Sequence, residues 1–136
     1  PDDIRRLLAE LESGPRVALV NGSKFIGGCE DGAISLPNYW GNRFMSGLIN
    51  LLFGASISDS QSGFRAIRAD LARSMPLTST QYEIETEMLC KALKAGDDVR
   101  EIPVVRKARA GGTTGFRRVH NGLRILRMIV RERITR

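Results

Sequence analysis

Residues 1–22 read PDDIRRLLAELESGPRVALVNG, and this stretch decides the fold. A proline and two acids at its start suit the positive N-terminus of a helix. Apolar side chains then recur at the spacing of one buried helix face, namely Ile4, Leu7, Leu8 and Leu11. Gly14 and Pro15 end the helix. The next run, RVALVNG, is almost wholly apolar, which is typical of a strand covered on both faces. A helix followed by such a strand predicts an α/β architecture.

The middle of the chain predicts a long loop and then a helix. Residues 22–37 hold four glycines and little periodicity, so a loop is expected there. A helix should follow over roughly 39–53. We expect its inner face to be formed by Phe44, Leu48, Leu51 and Leu52.

The second half of the chain continues the alternation of helices and strands. RADLARSMP predicts a short helix ended by Pro76, and STQYEIETEMLCKALKAG a longer one capped by Ser79 or Thr80 and ended by Gly96. DVREIPVV is a second predicted strand, in which Pro103 indicates a sheet edge or a strand end. RKARAGGTTG is interpreted as a flexible basic loop.

The composition is that of one globular domain with basic character. The chain has 136 residues, 42% of them hydrophobic and 26% charged, which argues against disorder. A formal net charge of +6 favours anionic partners: nucleic acid, an acidic membrane surface or phosphorylated small molecules. Cys29 and Cys90 lie far apart in sequence and have no metal-type or redox spacing, so both are expected to be ordinary thiols in a reducing compartment. Neither a membrane-spanning window nor a secretory signal is present in this sequence.

Chemistry-bearing side chains concentrate in ISDSQSGFRAIRADL, residues 57–71. Asp59 can coordinate a metal-bound diphosphate, orient an acceptor or accept a proton. Gln61 and Ser62 can hydrogen-bond a sugar or a phosphate. The composition of the stretch is equally that of an Asx-type turn, in which Asp59 bonds the backbone two residues on.

Three further charged residues are candidates for a binding site. Lys24 follows a strand in a glycine-rich loop and Arg43 lies near a helix start, and both positions suit phosphate oxygens. Glu87 lies four residues from Glu83 and from Lys91 on one helix. The alternative for Lys24 and Arg43 is a solvated surface charge. The alternative for Glu87 is a solvated surface or a local salt bridge, as is usual for charges at this helical spacing.

The last segment, 116–136, predicts a basic amphipathic helix with seven arginines from Arg117 onwards. Its expected apolar stripe comprises Val119, Leu123, Leu126 and Val130, widened by Ile125, Met128 and Ile129. Such a helix can lie on an anionic membrane, or it can pack on its own domain with its arginines in water. Nucleic acid is not expected as a partner, because no zinc-finger, RNP or helix-turn-helix signature accompanies the charge.

Several sequence blocks occur in an order that resembles a known family. They are PDDIRRLLAEL, VALVNGSKF, NRFMSGLINLLFGASISDSQSGFRAIRADL, YEIETEMLCKALKAGDDVREIPV and GGTTGFRRVHNGLRIL. Together they resemble the second half of family 2 glycosyltransferases, on the dolichol- and polyprenyl-phosphate sugar synthase branch. The resemblance covers nearly the whole chain, and its most specific part is the D-x-Q-S-G-F-R-A block followed by E-x-E-M-L and EIPV.

The resemblance implies a fold and an activity. It implies the C-terminal, acceptor-side half of a GT-A domain, a Rossmann-like α/β fold that uses a nucleotide-sugar donor and a Mg or Mn ion. The implied reaction is an inverting transfer of a sugar onto the phosphate of a polyprenyl or dolichyl carrier. The implied setting is peripheral, at the cytoplasmic face of a membrane, with the basic C-terminal helix contacting the lipid surface.

The same resemblance implies roles for single residues. Asp59 would lie beside the reacting sugar, with Gln61 next to it in the acceptor or sugar pocket. Lys24, where the family often has arginine, and Arg43 would hold the acceptor phosphate. Supporting roles fall to Ser62 and Glu87.

The GGTTGF loop departs from the family pattern. Many relatives have Ser-Lys where this chain has Thr114 and Gly115. The basic contact with the donor diphosphate or the membrane would then be made by Arg117 or Arg118.

A second departure concerns the metal. The family has an acidic D-x-D stretch directly before the helix that here begins at Pro1, so the metal ligands are expected upstream of Pro1 and not in these residues. The 136 residues alone are therefore expected neither to bind nucleotide tightly nor to turn over. The alternative is a non-catalytic membrane- or partner-binding module derived from the fold. An exposed sheet edge would in addition favour a homo-oligomer.

Overall fold

The computed structural model describes residues 2–108 and 118–135, and for Arg118 it describes the backbone alone. In chain order the elements are α1 Asp2–Glu12, β1 Val17–Ser23, α2 Lys24–Gly27, α3 Leu36–Phe53, β2 Arg65–Ile67, α4 Ala69–Ser74, α5 Ile84–Lys94, β3 Asp98–Pro103 and α6 Arg118–Ile134. The predicted flexible loop at 106–115 lies mostly outside the described residues.

The three strands form one sheet in the order β2-β1-β3. β1 pairs antiparallel with β2 and parallel with β3, and all seven residues of β1 are buried. The expectation of a strand covered on both faces is therefore confirmed. β3 is an edge strand of this sheet and ends at Pro103, as the proline predicts. The mixed α/β class is confirmed, while the GT-A assignment stays a prediction.

Two clusters of buried apolar side chains hold the helices in place. One joins α1 to the sheet through Leu7, Val17, Val20 and Ile102. The larger one lies among α3, α5 and α6 and is formed by Ile49, Ile57, Leu89, Cys90, Ile125, Met128 and Ile129. Burial of these side chains is the main driving force that packs α6 against the rest of the chain.

The predicted buried faces of α1 and α3 are partly wrong. In α1 only Leu7 is fully buried, and Ile4 and Leu8 are exposed. In α3 the predicted inner residues Phe44 and Leu51 are exposed, whereas the buried residues are Asn42, Ser46 and Ile49. Each helix carries more apolar side chains than its contacts in this chain cover, so periodicity alone cannot select the packed face.

The predicted apolar stripe of α6 is wrong for the same reason. Val119, Leu123 and Val130 are exposed. The residues expected only to widen that stripe, Ile125, Met128 and Ile129, are the ones that enter the core. The helix is therefore apolar on two sides, and the side with Ile125 packs on the domain.

Several local predictions about chain segments need correction. The loop predicted at 22–37 contains the short helix α2, and the turn after Ser62 leads into the strand β2. A Cβ on Gly27 would lie 2.2 Å from the carbonyl oxygen of Val104, so only glycine allows α2 to pack this close. Helix α5 begins at Ile84 and is not capped by Ser79 or Thr80. The short helix before Pro76 is confirmed as α4.

Within residues 2–108 and 118–135, no helix combines the length and the apolar character that crossing a bilayer requires.

Candidate active site

A row of three polar residues crosses the sheet and holds the loop 58–62. Asn21 of β1 is in register with Arg65 on β2 and with Glu101 on β3. Each of these side chains hydrogen-bonds to the loop. The loop thus takes its position from all three strands at once. It lies at the carboxyl ends of the parallel pair β1 and β3, where open α/β sheets usually bind ligands.

Glu101 and Asn21 fix the first two residues of the loop. The Glu101 carboxylate accepts hydrogen bonds from the Ser58 amide at 3.0 Å, the Ser58 hydroxyl at 2.7 Å and the Asp59 amide at 3.1 Å. The Asn21 side-chain amide donates to the Asp59 carbonyl oxygen. The backbone of Asp59 is therefore bonded on both sides, which sets the direction of its side chain.

Arg65 fixes the other end of the loop. Its Nε donates to the Ser62 carbonyl oxygen at 3.0 Å, and further guanidinium nitrogens donate to the carbonyls of Ser62 and Glu85. Burial lowers the pKa of Arg65 to about 10, although the nearby carboxylates of Glu85 and Asp59 raise it. The guanidinium consequently remains charged at neutral pH and ties the loop to the start of α5.

Asp59 forms a buried ion pair with Lys24. The Lys24 Nζ lies 2.8 Å from both carboxylate oxygens of Asp59, and the Lys24 amide donates to Oδ2 at 3.2 Å. The Asn42 side-chain amide donates to Oδ1 at 2.8 Å. Asp59 is 1% exposed and Lys24 7%. The carboxylate thus binds these donors, and its oxygens are not used in an Asx-type turn.

Asn42 and Ser46, two polar residues of α3, support this pair by hydrogen bonds. The Ser46 hydroxyl bonds to Asn42 Oδ1 at 3.3 Å and to the Ser60 hydroxyl at 3.0 Å. The Ser60 amide donates to Ser46 at 3.0 Å. This network explains why α3 turns an asparagine and a serine inward: buried polar groups must be paired with one another.

Lys24 and Gln61 line a cavity of about 420 Å³. Its walls come from α3, α5, α6 and the segments near residues 34 and 106, and its lining residues include Asn42, Met45, Glu85, Arg106 and Ile125. The volume falls within the range of small-molecule sites. Two larger depressions, of about 580 and 620 Å³, lie near Pro15 and Arg68 and contain none of the predicted site residues.

The two predicted phosphate-binding cations share one aromatic ring. Lys24 Nζ lies 4.8 Å from the ring centre of Phe25, and the Arg43 guanidinium carbon lies 5.5 Å from it. Arg43 is exposed, whereas Lys24 is buried. The structure thus brings both cations to one place, at distances suited to cation–π contacts.

Ser62 is the last residue of the loop 58–62, and its hydroxyl bonds to backbone groups. Its hydroxyl donates to the Gly22 carbonyl oxygen at 2.7 Å and accepts from the Phe64 amide at 3.2 Å. It therefore fastens the loop to β1. Arg117 lies outside the described residues, and so does the side chain of Arg118.

Glu87 is fully buried and holds a different segment, 78–79. Its carboxylate accepts hydrogen bonds from the Thr78 amide at 2.9 Å and the Ser79 amide at 2.7 Å, and lies 3.6 Å from both Lys91 and Arg131. Burial favours the neutral acid, but the hydrogen bonds from Ser79 and Thr78 outweigh it and hold the pKa of Glu87 below its usual value. Glu87 thus joins α5, α6 and the preceding segment. The solvated-surface alternative is wrong for this residue, whereas the local salt bridge with Lys91 is confirmed.

Comparisons with known proteins indicate the class of this site. No family model matches the chain. A low-salt glycan biosynthesis hexosyltransferase, Agl6, of Haloferax volcanii is 28% identical over 81% of the chain and 27% of its own length. From the same organism, the glycosyltransferase AglJ is 32% identical and a dolichyl-phosphate hexose transferase 31%, each over 60% of the chain. The chain is similar to glycosyltransferases.

The glycosyltransferase similarity covers a part of each relative. The matched region spans 27% of the hexosyltransferase, 27% of AglJ and 36% of the dolichyl-phosphate hexose transferase.

Sequence reasoning missed four residues of this candidate site: Asn21, Asn42, Glu101 and Arg106. Asn21 lies near the carboxyl end of a predicted strand, and that position was a usable signal. Glu101 lies in the middle of the other predicted strand, where its position gave no such signal. The signal for Asn42 was its place on a largely apolar helix, where a buried amide needs a partner. Nothing in the pattern distinguishes Arg106 from the basic residues that follow it.

The site residues do not make up a metal centre. In the described parts of the chain, no group of three or more His, Cys, Asp or Glu side chains is arranged to hold a metal ion. The Asp59 oxygens are occupied by Lys24 and Asn42, and Glu85 lines the cavity at a separate place. Hard divalent cations need several oxygen ligands, so these side chains do not fit a Mg or Mn site by themselves.

Proposed function

We propose that the chain is the acceptor-side part of a family 2 glycosyltransferase with a GT-A fold, on the polyprenyl-phosphate sugar synthase branch. The enzyme transfers a sugar from a nucleotide sugar to the phosphate of a polyprenyl or dolichyl carrier, with inversion, at the cytoplasmic face of a membrane. The observation that carries the proposal is the buried Lys24–Asp59 pair beside a cavity lined by Gln61. The name of one relative, a dolichyl-phosphate hexose transferase, supports this acceptor.

The proposed chemistry needs little from a general base. An oxygen of the carrier phosphate attacks the anomeric carbon, the bond from that carbon to the nucleotide's diphosphate breaks, and the nucleoside diphosphate leaves with the electron pair. A phosphate monoester carries between one and two negative charges at neutral pH, so no proton has to be removed from the attacking oxygen. The protein's task is to position two anionic groups and to offset their charge.

The geometry suggests how the predicted residues divide this task. Lys24 and Arg43, which both contact the Phe25 ring, hold the acceptor phosphate. Asp59 is buried and bonded to Lys24, so its proposed role is to orient that ammonium group and the Asn42 amide. Gln61 lines the cavity, where its amide can hydrogen-bond a sugar hydroxyl.

The remaining predicted residues either support the site through the fold or keep the role that the family resemblance implies. Ser62 supports the site by fastening the loop to β1, and Glu87 supports it by joining α5 to α6. Arg117 or Arg118 contacts the donor diphosphate or the membrane. Dependence on Mg or Mn belongs to the proposal through the family resemblance, and its ligands would be residues other than those around the cavity.

Exposed apolar side chains on two helices support peripheral association with a membrane. On α3 they are Leu36, Trp40, Phe44 and Leu51, and on α6 they are Val119, Leu123, Val130 and Ile134. Helix α3 contains no acidic residue, and the one acid of α6, Glu132, is buried. Both outer faces are therefore apolar and cationic, the combination that binds anionic lipid surfaces.

The test is sugar transfer by the full-length protein. A panel of radiolabelled nucleotide sugars is incubated with a polyprenyl phosphate and Mg or Mn, and the product is a lipid-soluble sugar phosphate. We expect Lys24→Met and Arg43→Ala to lower kcat/KM at least tenfold, and Arg73→Ala, a matched exposed arginine on α4, to leave it unchanged. If no donor gives product while the protein still binds vesicles, the non-catalytic binding module replaces the enzyme.

A further inference from the structure

Two glycines face the cavity from neighbouring helices. Gly41 of α3 and Gly122 of α6 both line it, and a Cβ added at either position would meet no atom within 4 Å. Neither has a positive φ, so no backbone conformation requires glycine there. Glycine is unfavourable inside a helix. What the two glycines provide is open space between α3 and α6.

This space connects a buried polar end to the exposed apolar surface. At the inner end are the buried Lys24 and Asn42, and Met45 and Ile125 add apolar lining. The rim includes Val119, which is 78% exposed. The rim therefore includes one of the exposed apolar side chains of α6, and a hydrocarbon chain can enter past it.

The charges at the polar end favour an anionic head group. Lys24 and Arg106 both line the cavity, and Arg106 is oriented by a hydrogen bond from its Nε to the Ala33 carbonyl oxygen at 3.0 Å. Glu85 is an acid on the same lining. Since Lys24 is already paired with Asp59, Arg106 adds a cation to the proposed Lys24 and Arg43 pair and helps to offset the charge of a bound phosphate.

We propose that the opening between Gly41 and Gly122 holds the first part of the hydrocarbon chain of a lipid phosphate monoester whose head group lies at Lys24 and Arg106. The two glycines set how bulky and how long a chain the site accepts. This inference rests on the proposed function, because it places the lipid acceptor of that reaction in a binding site. To the proposed function it adds two residues, Gly41 and Gly122, that determine acceptor selectivity.

The experiment compares phosphates that differ only in chain length. Binding of inorganic phosphate, n-butyl phosphate and n-dodecyl phosphate, the last below its micelle concentration, is measured by calorimetry on the full-length protein. Each methylene buried adds about fourfold in affinity. We expect dodecyl phosphate to bind at least tenfold more tightly than butyl phosphate.

Variants at the two glycines test where the chain lies. Gly41→Leu and Gly122→Leu should reduce the preference for dodecyl phosphate to about threefold or less, without a comparable change for butyl phosphate. Gly47→Leu is the matched control, because Gly47 is also an open position within α3 but does not line the cavity. It should keep the full preference. If the leucine variants do not fold, Val119→Trp narrows the rim from an exposed position and should have the same effect.

The results separate this inference from the proposed function. Equal binding of the three phosphates, or folded cavity variants that keep the full preference, would overturn the inference. Sugar transfer is measured on the same proteins. Transfer that persists with an unchanged preference for long acceptors would leave the proposed function intact and refute the role of the glycines. A chain-length preference that the glycine variants abolish, in a protein without transfer, would uphold the groove and refute the enzyme.

Discussion

The Lys24 ammonium group lies 2.8 Å from each carboxylate oxygen of Asp59, and the Asp59 side chain is almost completely shielded from water. Moving two charges out of water is unfavourable unless each finds its partner in good geometry. The pair is therefore stable only as a unit. Any ligand phosphate that reaches Lys24 must share it with Asp59.

This relationship predicts strong energetic coupling between the two residues. Lys24→Met should lower the free energy of unfolding by about 3 kcal/mol, because it leaves a buried carboxylate without its counter-charge. Asp59→Asn in the same protein should recover a large part of that loss. The measurement is a double-mutant cycle by chemical denaturation. The exposed pair Arg6–Asp3, also at 2.8 Å, is the control and should couple by less than about 0.5 kcal/mol. Additive effects of the two substitutions on the unfolding free energy would contradict the coupling between Lys24 and Asp59.

Glu101 should control the mobility of the loop that carries Asp59. Glu101→Gln removes one of two acceptor oxygens, so the amides of Ser58 and Asp59 lose part of their bonding. We expect faster hydrogen exchange at these two amides and a loss of about 1 kcal/mol in stability. Glu12→Gln, at an exposed position of α1, should change neither quantity. Unaltered exchange at both amides in Glu101→Gln would show that the loop does not depend on this carboxylate.

Glu87 should make stability depend on pH. Its pKa in the folded protein lies below the usual value of 4.5. The charged carboxylate therefore stabilises the fold above that value, and the stabilisation is lost as pH falls through the lower folded pKa. Glu87→Gln should cost about 2 kcal/mol at pH 7. The difference in unfolding free energy between wild type and variant should decrease as the pH falls below 4.5. Urea denaturation at a series of pH values from 7 to 3.5 measures this difference. A difference that stays constant would mean that the charge of Glu87 is not what matters.

The exposed apolar face of α3 should carry membrane binding. Trp40→Ser and Leu51→Ser remove large exposed side chains, so each should weaken binding to vesicles with anionic lipid at least fivefold. Ile4→Ser, at an exposed apolar position of α1, is the control and should bind like wild type. Flotation or co-sedimentation measures the bound fraction. Equal losses in all three variants would point to a general hydrophobic effect and not to this face.

The two cysteines should differ sharply in reactivity. Burial, together with the nearby acids Glu132 and Glu87, raises the pKa of Cys90 to about 12, whereas Cys29 is exposed. Since the thiolate is the reactive form, a maleimide should label Cys29 within minutes and Cys90 only after unfolding. Mass spectrometry with and without urea counts the labels. Rapid labelling of both thiols in the native protein would place Cys90 outside the core.

The sequence predicted the positions of helices and strands better than it predicted which face of each helix is buried. The apolar run from Val17 to Val20 could belong only to a covered strand, and the acids, lysines and glycine around α5 marked that helix. In α6, however, the residues Val119 and Leu123 repeat as regularly as Ile125 and Met128. The choice between two apolar stripes depends on which neighbours α3 and α5 present, and a single sequence does not contain that information.

The site was predictable in its residue types but not in its pairings. Asp59, Lys24 and Gln61 were named as candidates from the sequence, and the structure pairs Asp59 with Lys24 beside a cavity that Lys24 and Gln61 line. The Asp59 carboxylate accepts hydrogen bonds from Lys24 and Asn42. This pairing depends on distances between segments far apart in sequence. Glu87 shows the reverse case: its position on a helix suggested a surface charge, but the segment before the helix folds back over it.

The row Arg65–Asn21–Glu101 makes the geometry of the site depend on the register of the three strands. A slip of one residue in either edge strand would turn Arg65 or Glu101 to the other face of the sheet. The loop 58–62 would then lose its anchor, although the strands could still pair. The site geometry therefore requires a sheet with this register. A misaligned chain would form secondary structure and bury much of its core, yet it would lack the loop geometry that sets Asp59 against Lys24.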